Sequence, residues 1–254
     1  MLRLFRTGDL EEARLIADLE RIGVKCQAVD PETGRQWKIS ALGGHLKGHM
    51  DGKAVGIIEA PKTEHLLEFK THNEKSFRAL VKDGVEKSKP GHFAQMQLYM
   101  HFGHLERAFY LAVNKNTDEL HGERVKYDAA KALILLARAE NIIRASEPPP
   151  KLHEDPESKA AWQCRFCSAR PQCHESTMAR ANCRTCLHAS VVDGGWHCAA
   201  QDRMLSIEEQ RIGCSRHLFI PALVPGEQID ADEAKETVTY RMVDGSIWVD
   251  GGQE

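Results

Sequence analysis

Glu68 and Lys70 lie two residues apart in the otherwise apolar run His65-Leu66-Leu67-Glu68-Phe69-Lys70. Strand side chains alternate faces, so this spacing puts an acid and a base side by side while Leu67 and Phe69 point into a core. An isolated Asp51 precedes the pair, and Gln95-x-x-x-Tyr99 follows it. Hydrolysis of a phosphodiester needs a hard cation to neutralise the phosphate and lower the pKa of a water, with carboxylates to hold that cation. Asp51 and Glu68 are of that kind. A lysine with its ordinary pKa is protonated and would orient the water or stabilise developing charge; with a lowered pKa it would act as a base. Lys70 could play either part. Gln95 and Tyr99 are four residues apart, so on a helix they share a face and reach one site. Glu12, four residues after Gly8, is a candidate third carboxylate ligand, and Glu11 is the competing choice. His45 and His49 read more readily as packed or hydrogen-bonding histidines than as ligands.

The elements that must position these groups can be read from periodicity and breakers. Residues 8 to 22 carry apolar positions at Leu10, Ala13, Ile16, Ala17 and Leu19, which predicts an amphipathic helix stopped by Gly23. Strand-like segments follow at 36–39, 45–51, 55–58 and 66–70, and together they suggest a small meander. Pro90 suits the first turn of a helix that ends near Gly103, and 108–113 reads as a buried strand. A further helix is expected over 128–145, with Leu133, Leu136, Ala137 and Ile143 as its apolar stripe. Pro148-Pro149-Pro150 ends it and marks a linker. Near the C-terminus, 237–242 and 246–249 flank Val243-Asp244-Gly245, a turn that suggests a β-hairpin. These signals divide the chain into a core over 1–147, a linker over 148–160, a cysteine-rich module over 161–218 and an acidic tail over 219–254.

Seven of the eight cysteines fall between Cys164 and Cys214. In a chain whose N-terminus lacks the apolar stretch of a secretory signal, Cys-x-x-Cys pairs favour metal ligation over disulfides. Cys183-x-x-Cys186 with Cys198 and Cys214 has the two-part spacing of a closed structural zinc site, with His217 as the substitute if one cysteine is not a ligand. Cys164-x-x-Cys167 with Cys173 makes a second group, for which a three-cysteine, one-histidine zinc site is chemically acceptable. A cysteine-based redox protein is disfavoured, because neither pair opens a helix in a thioredoxin-like βαβ pattern.

Taken together, Gly8-to-Glu12, Gly48-His49-Met50-Asp51-Gly52, Glu68-Phe69-Lys70 and Gln95-x-x-x-Tyr99 resemble the PD-(D/E)xK nucleases. The similarity is to the RecB-like branch of phage exonucleases and CRISPR adaptation nucleases, over roughly residues 4 to 115 in order and spacing. The resemblance implies a restriction-endonuclease-like α/β fold, with a central mixed sheet flanked by helices. It implies that Asp51, Glu68 and the carbonyl of Phe69 coordinate Mg or Mn, that Lys70 assists the attacking water, and that Gln95 and Tyr99 support substrate binding. Asn114-Lys115-Asn116, just after a predicted strand, also looks like a feature of phage members. In this branch three late cysteines and one early one hold a 4Fe-4S cluster, which Cys164, Cys167 and Cys173 match in part. The early cysteine departs from the pattern, since Cys26 follows the first helix. Either the chain lacks a preceding segment, or Cys26 or His174 completes the site. The implied partner is DNA, single- or double-stranded, with room for a recombination or replication protein and for an oligomer.

The formal net charge of −3 hides a regional split. Residues 227–254 hold eight acids against Lys235 and Arg241, while 159–188 hold five Lys/Arg against Glu175. The basic stretch is the candidate for phosphate backbones, and a solvated basic face is the plain alternative. No apolar run approaches the roughly 18 to 20 residues of a membrane helix, so a cytoplasmic location is expected, that of the host cell if phage-encoded. The leading expectation is thus a metal-dependent deoxyribonuclease, exonuclease before endonuclease. The alternative is a binding module for nucleic acid or protein, built on an inactive nuclease fold with a zinc-ribbon-like part.

Overall fold

The computed structural model describes residues 2–252, with side chains from Arg6 onward; residues 253 and 254, the end of the acidic stretch, lie outside the described residues. The chain divides into two compact units, 1–142 and 143–254.

The first unit opens with α1 (Leu2–Arg21), closed by Gly23, whose positive φ lets its N–H reach back to Glu20. Short strand β1 (Lys25–Gln27) follows. The expected meander is divided: β2 (Lys38–Ala41) and β3 (Leu46–His49) form a hairpin of their own, while β4 (Gly52–Val55) joins the main sheet. Next come β5 (His65–His72), α2 (Glu74–Ser88), α3 (Pro90–Gly103), β6 (Arg107–Asn114), β7 (Leu120–Lys126) and α4 (Ala129–Arg144). The main sheet has the order β1-β4-β5-β6-β7, and only the central β5–β6 pair is parallel. A parallel pair needs a long crossover, and α2 with α3 supplies it. This is a central mixed sheet flanked by helices.

Alternation along β5 divides the core in two. Leu67 and Phe69 pack with Leu15 and Leu19 of α1 and with Leu111 and Val113. Leu66, on the other face, packs with Phe77, Leu80, Met96, Met100 and Tyr110 under α2 and α3. Two departures from expectation stand out. Helix α2 was not expected from the sequence; Asn73 caps it by accepting the Ser76 N–H at 2.9 Å, and Gly84 breaks its regularity with a φ of 73°. The stripe expected on α4 is not a core face: within this helix Ala132 is buried, whereas Leu133 is 56% exposed.

The second unit holds α5 (Arg170–His174) and a three-stranded sheet of β8 (Ala189–Val192), β9 (Gly195–Cys198) and β10 (Arg203–Leu205). Helix α6 (Ile207–Ile212) follows, and β11 (Gly226–Asp232), β12 (Thr237–Met242) and β13 (Ile247–Gly251) form another antiparallel sheet. Its β12–β13 turn is closed by Gly245 at positive φ and by Asp244, which accepts the Ser246 N–H. Among the described residues no helix is long and apolar enough to cross a membrane.

Candidate active site

Strand pairing sets the geometry. Gly52 of β4 lies opposite Leu67 of β5, which places Asp51, one residue earlier, beside the Glu68–Phe69 peptide. The Asp51 carboxylate accepts the Phe69 N–H at 2.8 Å, so a backbone group fixes its position. Lys70 Nζ lies 2.5 Å from Glu68 Oε1 and 3.8 Å from Asp51 Oδ2, and it donates to the Phe69 carbonyl at 2.9 Å. One ammonium therefore faces the two carboxylates and the carbonyl named from the sequence. From α3, Gln95 Nε2 donates to the other Glu68 oxygen at 3.2 Å. Tyr99 has a backbone hydrogen bond at His49, and the phenolic end of its ring packs against Gly48, where any Cβ would stand 2.5 Å from the phenolic oxygen.

Electrostatics follow from burial. Glu68 is fully buried, and loss of water pushes its carboxyl up to about 7; Lys70 opposes this, and Asp51 adds to it. Burial pulls the Lys70 ammonium down, but Glu68, Asp51 and Glu12 together more than offset this and leave its pKa raised. Glu12 is raised by burial and then by Asp51. Tyr99 is raised by burial and by Glu68.

The structure separates the two N-terminal acids. Glu11 pairs with Arg14 at 2.9 Å, while Glu12 lies within electrostatic reach of Asp51 and Lys70. Gly8, Glu11, Glu12 and Leu15 of α1 line a cleft of about 180 Å³ with Phe69, Lys70 and Thr71. The His49 side chain is exposed. Asn114 and Asn116 hold the start of α2: Asn114 donates to the Glu74 carboxylate, and Asn116 accepts the Glu74 N–H at 2.9 Å.

Among the described residues, no three or more His, Cys, Asp or Glu side chains are grouped as a ready-made cage for an ion. The donor set nonetheless suits a hard cation. Glu68 Oε1 is buried, and the partner it has is a positive charge, the Lys70 ammonium at 2.5 Å. A buried carboxylate oxygen of this kind favours a positive charge beside it.

Sequence reasoning missed a polar network on the α2/α3 side. Tyr110, the register partner of Glu68, bonds through its hydroxyl to His72 Nε2 at 2.9 Å and to His92 Nδ1 at 2.8 Å. Ser76 Oγ meets His72 Nδ1 at 3.2 Å. Burial, and then nearby lysines, hold both imidazoles down at about 4, so they are neutral at pH 7. His92 was visible to helical spacing, three residues before Gln95.

In the second unit, Cys164 Sγ lies 3.8 Å from His174 Nε2, Cys173 is half-buried and Cys167 exposed. Cys26, the early cysteine, sits on β1 against the core under α1, where burial pushes its thiol up to about 11. Cys183, Cys186 and Cys198 are buried and Cys214 is exposed. His217 is engaged elsewhere: its Nε2 meets Thr185 Oγ1 at 3.2 Å, and its ring packs edge-on against Phe219.

No protein-family model matches this chain, and no curated protein matches it. Among solved structures it is similar to LHK-Exo in complex with dAMP, at 18% identity and a TM-score of 0.40, over 52% of this chain and 62% of that one. It is also similar to SSO0001, at 16% identity and a TM-score of 0.40, over 68% of this chain and 71% of that one. The chain thus spans less than two thirds of LHK-Exo. Likeness at this level carries no argument, and the functional reading rests on the site itself.

Proposed function

We propose that this protein is a metal-dependent deoxyribonuclease that hydrolyses phosphodiester bonds, with exonuclease action the first form to test. The observation that carries the reading is the convergence of Asp51, Glu68, the Phe69 carbonyl and Lys70 at the β4–β5 junction. Asp51, Glu68 and the Phe69 carbonyl would hold Mg or Mn, with Glu12 as a third carboxylate on the cleft wall. When bound, the ion neutralises phosphate charge and acidifies a water.

The chain's own groups do the rest. Lys70 remains an ammonium beside two acids, so it orients the attacking water and stabilises charge on the phosphate rather than abstracting a proton. Gln95 holds the Glu68 carboxylate in place. The ring of Tyr99 fixes the β3 backbone next to Asp51 and supports the bound strand. Water oxygen attaches to phosphorus as the bond to the leaving oxygen breaks, giving a phosphate and a hydroxyl.

End-labelled single- and double-stranded DNA, incubated with the protein and Mg or Mn beside Asp51→Ala, tests this. Cleavage that needs the ion and falls at least about a hundredfold in the variant supports the reading, and the labelled products give the polarity. Absence of cleavage by folded, metal-supplied protein would turn the reading to a nucleic-acid-binding module.

A further inference from the structure

Cysteines 183, 186, 198 and 214 belong to three neighbouring segments of the second unit, although among the described residues no three of them are grouped closely enough to form a ready-made ion cage. Cys183 and Cys186 flank a single 3-10 turn, capped by Asn182, whose side chain accepts the Arg184 N–H at 2.9 Å. Cys186 forms an isolated bridge with Phe219 and accepts the Ala189 N–H, and Ala189 is the register partner of Cys198 at the end of β9. Cys214 follows α6 through Gly213, which has a positive φ and packs so tightly that a Cβ there would stand 3.2 Å from Asn182 Cα. Cys183 Sγ in turn reaches the Glu209 carbonyl in α6 at 3.3 Å. The turn that carries Cys183 thus abuts the segment that carries Cys214. Cys183 also lies within electrostatic reach of the other three sulfurs.

We propose that these four cysteines close around one zinc ion as a structural tetrathiolate site, with His217 outside the ligand set.

Three further observations fit an anionic sulfur cluster. Backbone hydrogen bonds at Leu218 and His188 meet the sulfur of Cys186, and one at Gly213 meets that of Cys183. Amide donors of this kind orient and stabilise metal-bound sulfur. Arg203 and Arg216 are paired first with Glu209 and Glu236, and both guanidiniums also lie within electrostatic reach of these sulfurs, whose zinc complex would carry a net charge of −2. The apolar cluster here contains Cys183, Cys198 and Leu205 as its buried members, too small a core to hold the sheet by burial alone. A divalent ion with four sulfur ligands supplies the missing staple, and binding releases the protons of the four thiols to solvent. His217 is already committed to Thr185 and Phe219. None of this depends on the nuclease reading.

The test uses the full chain carrying Cys164→Ser, Cys167→Ser and Cys173→Ser, purified reduced, so that the first cysteine group adds no signal. Titrated with Co(II), it should bind one equivalent, with the intense visible bands of tetrahedral thiolate coordination, and should release it to one equivalent of zinc. Cys198→Ser should weaken cobalt binding at least a hundredfold, and His217→Asn should leave the spectrum unchanged. Zinc-edge absorption of the parent should give four sulfurs at about 2.3 Å. Should the triple variant not fold, cadmium-113 resonance of the wild-type chain reads the same site, with one four-sulfur signal lost in Cys214→Ser. An octahedral cobalt spectrum, fewer than four sulfurs, iron in place of zinc, or loss of the spectrum in His217→Asn would overturn the proposal.

Discussion

The two units place chemistry by different means. In residues 1–142, a five-stranded sheet with a packed core on each face holds a buried acid at zero exposure, and backbone groups of β5 fix its neighbours. In residues 143–254, two three-stranded sheets rest on small clusters, and one of these clusters counts Cys183 and Cys198 among its buried members. In the first unit the buried acid is met by Lys70 and Gln95. In the second, the proposed four-sulfur zinc site would complete the fold.

Metal removal should separate the units most sharply. A strong chelator under reducing conditions should strip amide protection from about residues 183–219 and leave β5 and β6 protected, a loss on the order of 10 kcal/mol of apparent binding energy. Hydrogen exchange read by mass spectrometry checks this, and equal protection in both regions would erase the contrast.

The buried acid gives the next effect. Glu68 rises from an ordinary 4.5 to about 7, so it binds its proton more tightly in the folded chain than in the unfolded one. That advantage is complete below about pH 4.5 and is lost as pH rises through about 7. Glu68→Gln does not ionise, so in the absence of divalent ions its stability relative to wild type should climb by about 2 kcal/mol between pH 5 and 8. Denaturant melts at the two pH values read this directly, and a pH-independent difference would place the carboxyl in water.

A smaller change tests close packing beside the site. Gly48→Ala forces Tyr99 away from β3, because the added methyl would meet the ring at 2.6 Å. Cleavage should fall about tenfold, roughly 1.4 kcal/mol, with the melting temperature nearly kept. The smallest effect is expected away from the site: Asn73→Ala removes the cap of α2 and should cost about 1 kcal/mol in a urea melt without changing the cleavage rate.

What the sequence showed depended on the range of the interaction. Glu68 and Lys70 were legible because strand alternation is local, and α1 because its apolar period is uninterrupted. Helix α2 was hidden by Gly84, whose positive φ is compensated by Glu123 from β7, which accepts the Val85 N–H at 2.9 Å. No local pattern announces that partner. The His72–Tyr110–His92 network was hidden for the same reason, since it depends on the parallel pairing of β5 with β6 across two helices. The spacing of the later cysteines suggested a four-sulfur set, but the diversion of His217 to Thr185 and Phe219 is a tertiary fact.

Single-turnover cleavage of end-labelled DNA by wild type and Lys70→Ala, at saturating Mn, tests the central claim most directly. The arrangement at the β4–β5 junction predicts that the variant binds DNA and stays folded while its rate falls by at least about a hundredfold. A variant that cleaves at the wild-type rate would contradict it.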